Sequence, residues 1–210
     1  MADFELLSLL DAGKWSEQLK KLPSDQQDTY YTPEYYRLYE ELGDGKAHCF
    51  VFKQENDLAL YPFLINSVNQ CGFDLDKQYF DIQGAYGYNG VVTSTYDPDF
   101  VDAFHKAFGE WCRDENIIAE FTRFHPLLSN QRFSAKNLSI VFDRKTVFVN
   151  LDQAYSDIYH HYQRTTKKQI KRASNRYRLT MRRFDNDAEI LDTFWDTYTE
   201  TMDRAAAEPY

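Results

Sequence analysis

Five cations recur at one spacing. Arg164, Lys167, Lys168, Lys171 and Arg172 stand at i, i+3, i+4, i+7 and i+8, which puts them on one face of a helix with 3.6 residues per turn. Ammonium and guanidinium groups gathered in this way can hold a phosphate through charge-assisted hydrogen bonds. The surroundings sharpen the signal: residues 158–184 carry nine Lys or Arg and no Asp or Glu, in a chain whose formal net charge is −9. Like charges at i, i+4 cost about 0.2–0.5 kcal/mol per pair, and a chain rich in carboxylates places none there to relieve them. The plain alternative is a solvated helix face that keeps the protein dispersed. The opposite face carries Tyr155, Ile158, Tyr159, Tyr162, Ile170, Ala173 and Tyr177, so an amphipathic helix that docks its apolar side on a core is expected.

Other residues that could do chemistry form no constellation. His160 and His161 are adjacent and diverge on a helix, while His48, His105 and His125 are isolated, so no metal-ligand pair is read from them. Cys49, Cys71 and Cys112 are odd in number and widely spaced, which fits reduced thiols and neither a disulfide framework nor a zinc site. No nucleophile elbow, Walker loop or His-Glu-x-x-His pattern occurs. The N-terminus lacks a basic leader with an apolar run, and no stretch approaches the about 18 apolar residues that span a bilayer. A soluble, cytoplasmic protein is expected.

The elements that must position these residues can be read in order. With 43% hydrophobic and 17% aromatic residues, the chain can bury a sizeable core. Thr32 and Pro33 cap and open a helix that Gly43 closes. Residues 47–53 and 58–65 form a hairpin pattern, with Pro62 pointing to an edge position or a bulge. Strands are expected over 79–85 and 91–93, and Asn89-Gly90 between them has the sequence of a tight hairpin turn. Asp97-Pro98 opens a helix with Phe100, Val101, Phe104, Phe108, Trp111 and Cys112 on its buried stripe. A strand over 117–124 comes next, then a hairpin of 138–142 and 146–150. This order predicts an α/β (α+β) fold with a mixed, largely antiparallel sheet and helices on both faces. After Leu151 the pattern restarts with the basic helix, a strand over 178–184, and a helix that Asn186 and Glu189 open as a capping box and that buries Ile190, Leu191, Phe194, Trp195, Tyr198 and Met202. Residues 1–151 thus read as a first domain, and 152–210 as the N-terminal part of a second that is cut short.

Four pieces stand in a telling order and spacing: Tyr79-Phe80-Asp81-Ile82-Gln83-Gly84-Ala85-Tyr86-Gly87-Tyr88-Asn89-Gly90, Glu120-Phe121-Thr122-Arg123-Phe124-His125-Pro126, the helix through Ile170-Lys171-Arg172-Ala173, and Phe194 with Tyr198, Thr201 and Arg204. Together they resemble the FemAB-type (peptidoglycan-bridge-like) acyltransferases of the GNAT superfamily. The resemblance runs from about Tyr30 onward and implies two tandem GNAT-like domains, the second truncated here. It also implies transfer of an acyl or aminoacyl group to a primary amine of a cell-wall or cell-surface glycan precursor, with no bound cofactor or metal. The donor co-substrate would be acyl-CoA or aminoacyl-tRNA, whose phosphate falls to Arg164, Lys167, Lys168, Lys171 and Arg172. Tyr86, Tyr88 and Arg123 are then candidates for an acceptor cleft between domains; alternatively the tyrosines are sheet packing and Arg123 pairs with Glu120. The sequence departs from the superfamily in one respect. A Gly-rich pyrophosphate loop before a helix is missing, so no catalytic residue is assigned, and the 210 residues alone are expected to be inactive. Two other readings compete: a tRNA-binding module that uses the basic helix, and a non-catalytic scaffold that kept the fold.

Overall fold

A computed structural model describes residues 3–180 and 188–207. Contacts divide the chain into two compact units, Met1–Thr146 and Val147–Tyr210. The first unit is built on a six-stranded sheet of β1 (Asp3–Ser8), β2 (Lys46–Gln54), β3 (Asp57–Ser67), β4 (Phe80–Gln83), β5 (Val92–Thr93) and β6 (Ile117–Phe121). Its helices are α1 (Ala12–Leu19), α2 (Pro33–Leu42) and α3 (Pro98–Asp114). The sheet runs β1-β2-β3-β4-β6, with β5 also on β3. Every pair is antiparallel except β4 with β6. The sheet is therefore mixed and largely antiparallel.

Local chemistry sets the helix ends. Thr32 accepts a hydrogen bond from the Tyr35 N–H, Pro33 occupies the first turn of α2, and Gly43 leaves the helix at φ +91°. Asp97 caps α3 in the same way, with Pro98 behind it. Each face of the sheet buries its own cluster. Leu7, Trp15, Tyr31, Tyr36, Val51, Leu60 and Val92 pack beneath α1 and α2, where the Trp15 indole donates to the Tyr31 carbonyl at 2.9 Å. On the other face Phe104, Phe108 and Trp111 of α3 meet the Phe50 ring at centroid distances of 5.2–5.8 Å. Alternate residues of one strand serve opposite clusters, as Phe50 and Val51 do, which is the period-two consequence of pleating.

The middle of β3 departs from the expected edge position. Its residues 64–67 pair with β4 and its residues 59 and 60 with β5, so β4 and β5 are two parts of one interrupted strand, and residues 84–91 leave the sheet between them. Asn89-Gly90 consequently makes no hairpin turn. Gly90 has φ +105°, and the chain resumes in its original direction. Pro62 sits opposite the interruption within a central strand. Its carbonyl accepts the Tyr36 hydroxyl at 2.9 Å, and since N–H and C=O of one strand residue point the same way, the missing proline N–H faces the gap and leaves no ladder bond unmade.

The expected hairpin of 138–142 and 146–150 does not form. These residues pair with no strand, and Val141 and Phe142 lie exposed; β-propensity alone does not hold a strand without a neighbouring ladder.

In the second unit the basic segment is not one helix. It consists of α4 (Tyr155–His161) and α5 (Arg164–Asn175), with Tyr162 and Gln163 extended at ψ 142° and 154° between them. The third helix is α6 (Ala188–Ala205). Leu191, Phe194 and Trp195, expected to be buried, are exposed. The described residues of this unit form no strand, so α6 has no sheet there to cover. Residues 178–180 are not a strand either. Residues 181–184 of that expected strand lie outside the described residues, as does Asn186 of the expected capping box. Among the described residues no helix is long and apolar enough to cross a membrane.

Candidate functional site

The interruption between β4 and β5 makes a small site in the first unit. Gly84 N–H donates to the Phe121 carbonyl at 3.4 Å and Asn89 N–H to the Arg123 carbonyl at 2.6 Å, so both ends of the protruding loop are tied to the β6 segment. Gly84 is required by close approach: a Cβ there would stand 2.5 Å from the Asn89 Cβ. Gly87 combines φ +107° with a Tyr30 ring 2.3 Å from any Cβ, a conformation and a contact that only glycine tolerates.

Tyrosines of the α2 region hold the loop from below. Tyr35 donates to the Tyr86 carbonyl, Tyr31 to the Asn89 carbonyl at 3.3 Å, and Tyr36 shares its single proton between the Pro62 carbonyl at 2.9 Å and Asn89 Oδ1 at 3.3 Å. Burial pushes all three phenols above their ordinary range, so they remain protonated donors. Asn130, wholly buried, ties the same loop from the far side. Its Nδ2 donates to the Asn89 carbonyl and the Tyr31 hydroxyl, both at 2.9 Å, and its Oδ1 accepts the His125 N–H at 2.9 Å. His125 Nδ1 in turn accepts from the N–H groups of Leu127 and Leu128, which leaves Nε2–H facing Asp28 at 3.6 Å.

The result is a cavity of about 170 Å³ lined by Gln83, Gly84, Tyr86, Asn89, Phe121 and Arg123, among others. It brings together two of the three sequence candidates: the Arg123 guanidinium lies 6.0 Å from the centre of the Tyr86 ring, and both side chains are exposed. Tyr88 does not line it. Its ring packs edge-on against Tyr30 and His125, at 5.4 and 5.1 Å. The pairing of Arg123 with Glu120 is not made either, because Glu120 turns to the other side of β6, where Tyr61 donates to it at 2.5 Å. The Asn89 Nδ2 is buried without a hydrogen-bond partner among the described residues. A guanidinium, an exposed aromatic ring and the Gln83 amide around a small cavity can bind an anionic or carbonyl oxygen. They include no nucleophile. Of the thiols in this unit, Cys49 is fully buried and burial pushes Cys112 up to about 12, so neither suits that role.

The second candidate set lies on α5. Arg164, Lys168, Lys171 and Arg172 are exposed and Lys167 is half-buried. Lys167 donates to the His160 carbonyl at 2.7 Å and stands over the Tyr159 ring, while Arg172 donates to the Tyr177 hydroxyl at 2.8 Å. None of the five makes an ion pair with a carboxylate among the described residues.

No family model matches the chain, and no curated protein does. Among solved structures, the ribosomal-protein-alanine N-acetyltransferase from Brucella melitensis biovar Abortus 2308 aligns with 72% of this chain and 100% of its own, at 10% identity and a TM-score of 0.40.

Sequence reasoning missed the supports of the loop. Asn130 sits in a polar loop that gives no signal at its position. The pairs Tyr30-Tyr31 and Tyr35-Tyr36, five residues apart on either side of the Thr32 cap, are the signal the sequence does offer for this cluster of phenols.

Proposed function

We propose that the protein is an N-acyltransferase or aminoacyltransferase that moves its group to a primary amine of a cell-wall or cell-surface glycan precursor. The observation that carries this reading is the cationic face of α5, five basic side chains with no carboxylate partner among the described residues. It would hold the phosphate of the donor, acyl-CoA or aminoacyl-tRNA, through charge-assisted bonds. The sequence resemblance supplies the reaction class. Arg123, Tyr86 and the Gln83 amide would hold an oxygen of the acceptor.

Transfer assays with acyl-CoA and with aminoacyl-tRNA, in separate reactions, test the proposal on the full-length native polypeptide and on its double variant Lys168→Glu/Arg172→Glu. Loss of two such bonds is expected to lower kcat/KM by about a hundredfold, with Tm held within about 2 °C because both side chains are exposed. A large fall in Tm with intact transfer would make the helix structural. Tyr159 and Tyr177 beside Lys167 and Arg172 favour a second reading, a single-stranded RNA-binding module that stacks bases. In that case RNA affinity falls steeply with salt, and neither donor supports transfer.

A further inference from the structure

The C-terminal ends of α2 and α3 both reach one cavity in the first unit, of about 540 Å³, a volume in the range of small-molecule sites. No residue lines both this cavity and the one at Arg123, and its chemistry is independent of the acyl-transfer reading. The floor is apolar, with Leu6, Ile65, Phe80 and Ile117, each partly buried, lying beside Trp111.

The rim is electrically one-sided. Glu115, at the C-terminal end of α3, makes no ion pair among the described residues. Glu40, in the last turn of α2, pairs with Lys46 at 3.2 Å and accepts the Ala47 N–H at 2.7 Å, so the one cation on the lining is already neutralised. Each helix also directs the negative end of its dipole toward the cavity. His48 adds an acceptor. Its Nδ1 lies 3.1 Å from the Lys46 carbonyl, which can only accept, so Nδ1 carries the proton and Nε2 offers a lone pair when the ring is neutral. An anion finds no free cation here, only the neutral donors of Asn66, Ser67 and Gln70, and a wholly apolar molecule leaves the rim unused.

We propose that this cavity binds a small hydrophobic primary amine, its body on the Leu6, Ile65 and Ile117 floor and its ammonium between Glu115 and His48. The test titrates the full chain with phenethylamine, with neutral 2-phenylethanol and with anionic 3-phenylpropionate, by calorimetry and by amide chemical shifts. Phenethylamine should saturate and shift the amides of Leu6, Ile65 and Ile117, with the alcohol about fivefold weaker and the carboxylate weaker still, as expected for one exposed charge pair. Glu115→Lys, at an exposed position, should weaken the amine about fivefold or more and leave the alcohol unchanged. Ile65→Arg should remove both. Equal or tighter binding of the alcohol or carboxylate overturns the proposal, as does indifference of the amine to Glu115→Lys, shifts that map elsewhere, or no saturation by about 10 mM.

Discussion

Glu120 shows how one side chain can oppose the fold that contains it. Burial holds its carboxyl above the ordinary carboxylate range, against hydrogen bonds from Tyr61 and Thr122 that act the other way. A carboxyl whose folded-state pKa is raised binds more protons in the native state than in the unfolded one, so its contribution is fully favourable below the unfolded value and is lost as pH rises through the folded value. Glu120→Gln keeps an acceptor for the Tyr61 hydroxyl without the buried charge. Thermal melts should therefore show Glu120→Gln with the higher Tm at pH 7.5, by about 2–4 °C for each kcal/mol relieved, and the gap should close at about pH 4, below the unfolded value. A gap that persists unchanged at low pH would show that packing, not ionisation, sets the difference.

At the scale of elements, the protruding loop between β4 and β5 is the feature on which position matters most. Gly87→Ala places a methyl against the Tyr30 ring in a backbone conformation alanine avoids, and should cost about 2 kcal/mol or more. Gly13→Ala, inside α1 with nothing within 4 Å of the new methyl, should instead stabilise by about 0.5–1 kcal/mol. Urea midpoints of the two variants should lie on opposite sides of the wild type. The same contrast explains what could be read from the sequence. Caps and stripes are local, so Thr32-Pro33, Gly43, Asp97-Pro98 and the Phe100-to-Trp111 stripe announced α2 and α3, and alternating β-formers announced β2 and β3. Gly84, Gly87 and Gly90 looked like a hairpin because the local pattern is the same; what separates the two cases is that β4 and β5 share β3 as neighbour, a non-local fact. The basic face of α5 was legible from spacing alone, whereas its separation from α4 at Tyr162 and Gln163 had no proline or glycine to mark it. Tyr86 and Arg123 were named together for one cleft, whereas Tyr88, named with them, packs against Tyr30 and His125; Asn130 was invisible because a buried amide there is chosen by contacts far away in sequence.

For the molecule as a whole, both buried clusters draw their residues from before position 134. A fragment comprising residues 1–146 should therefore melt in a single cooperative transition, within about 3 °C of the corresponding transition in the full chain, because the burial that drives its folding is all retained. A broad, non-cooperative melt would show that the second unit is needed for the first to fold. The three tryptophans are distributed so as to follow such an experiment without labels. Trp15 lies fully buried in the α1 and α2 cluster, Trp111 in the α3 cluster on the opposite face of the sheet, and Trp195 half-exposed on α6. Their fluorescence is consequently separable by environment, with blue-shifted emission from each face of the sheet and red-shifted, quencher-accessible emission from α6, so that single-tryptophan variants would time the loss of each layer during unfolding on its own channel.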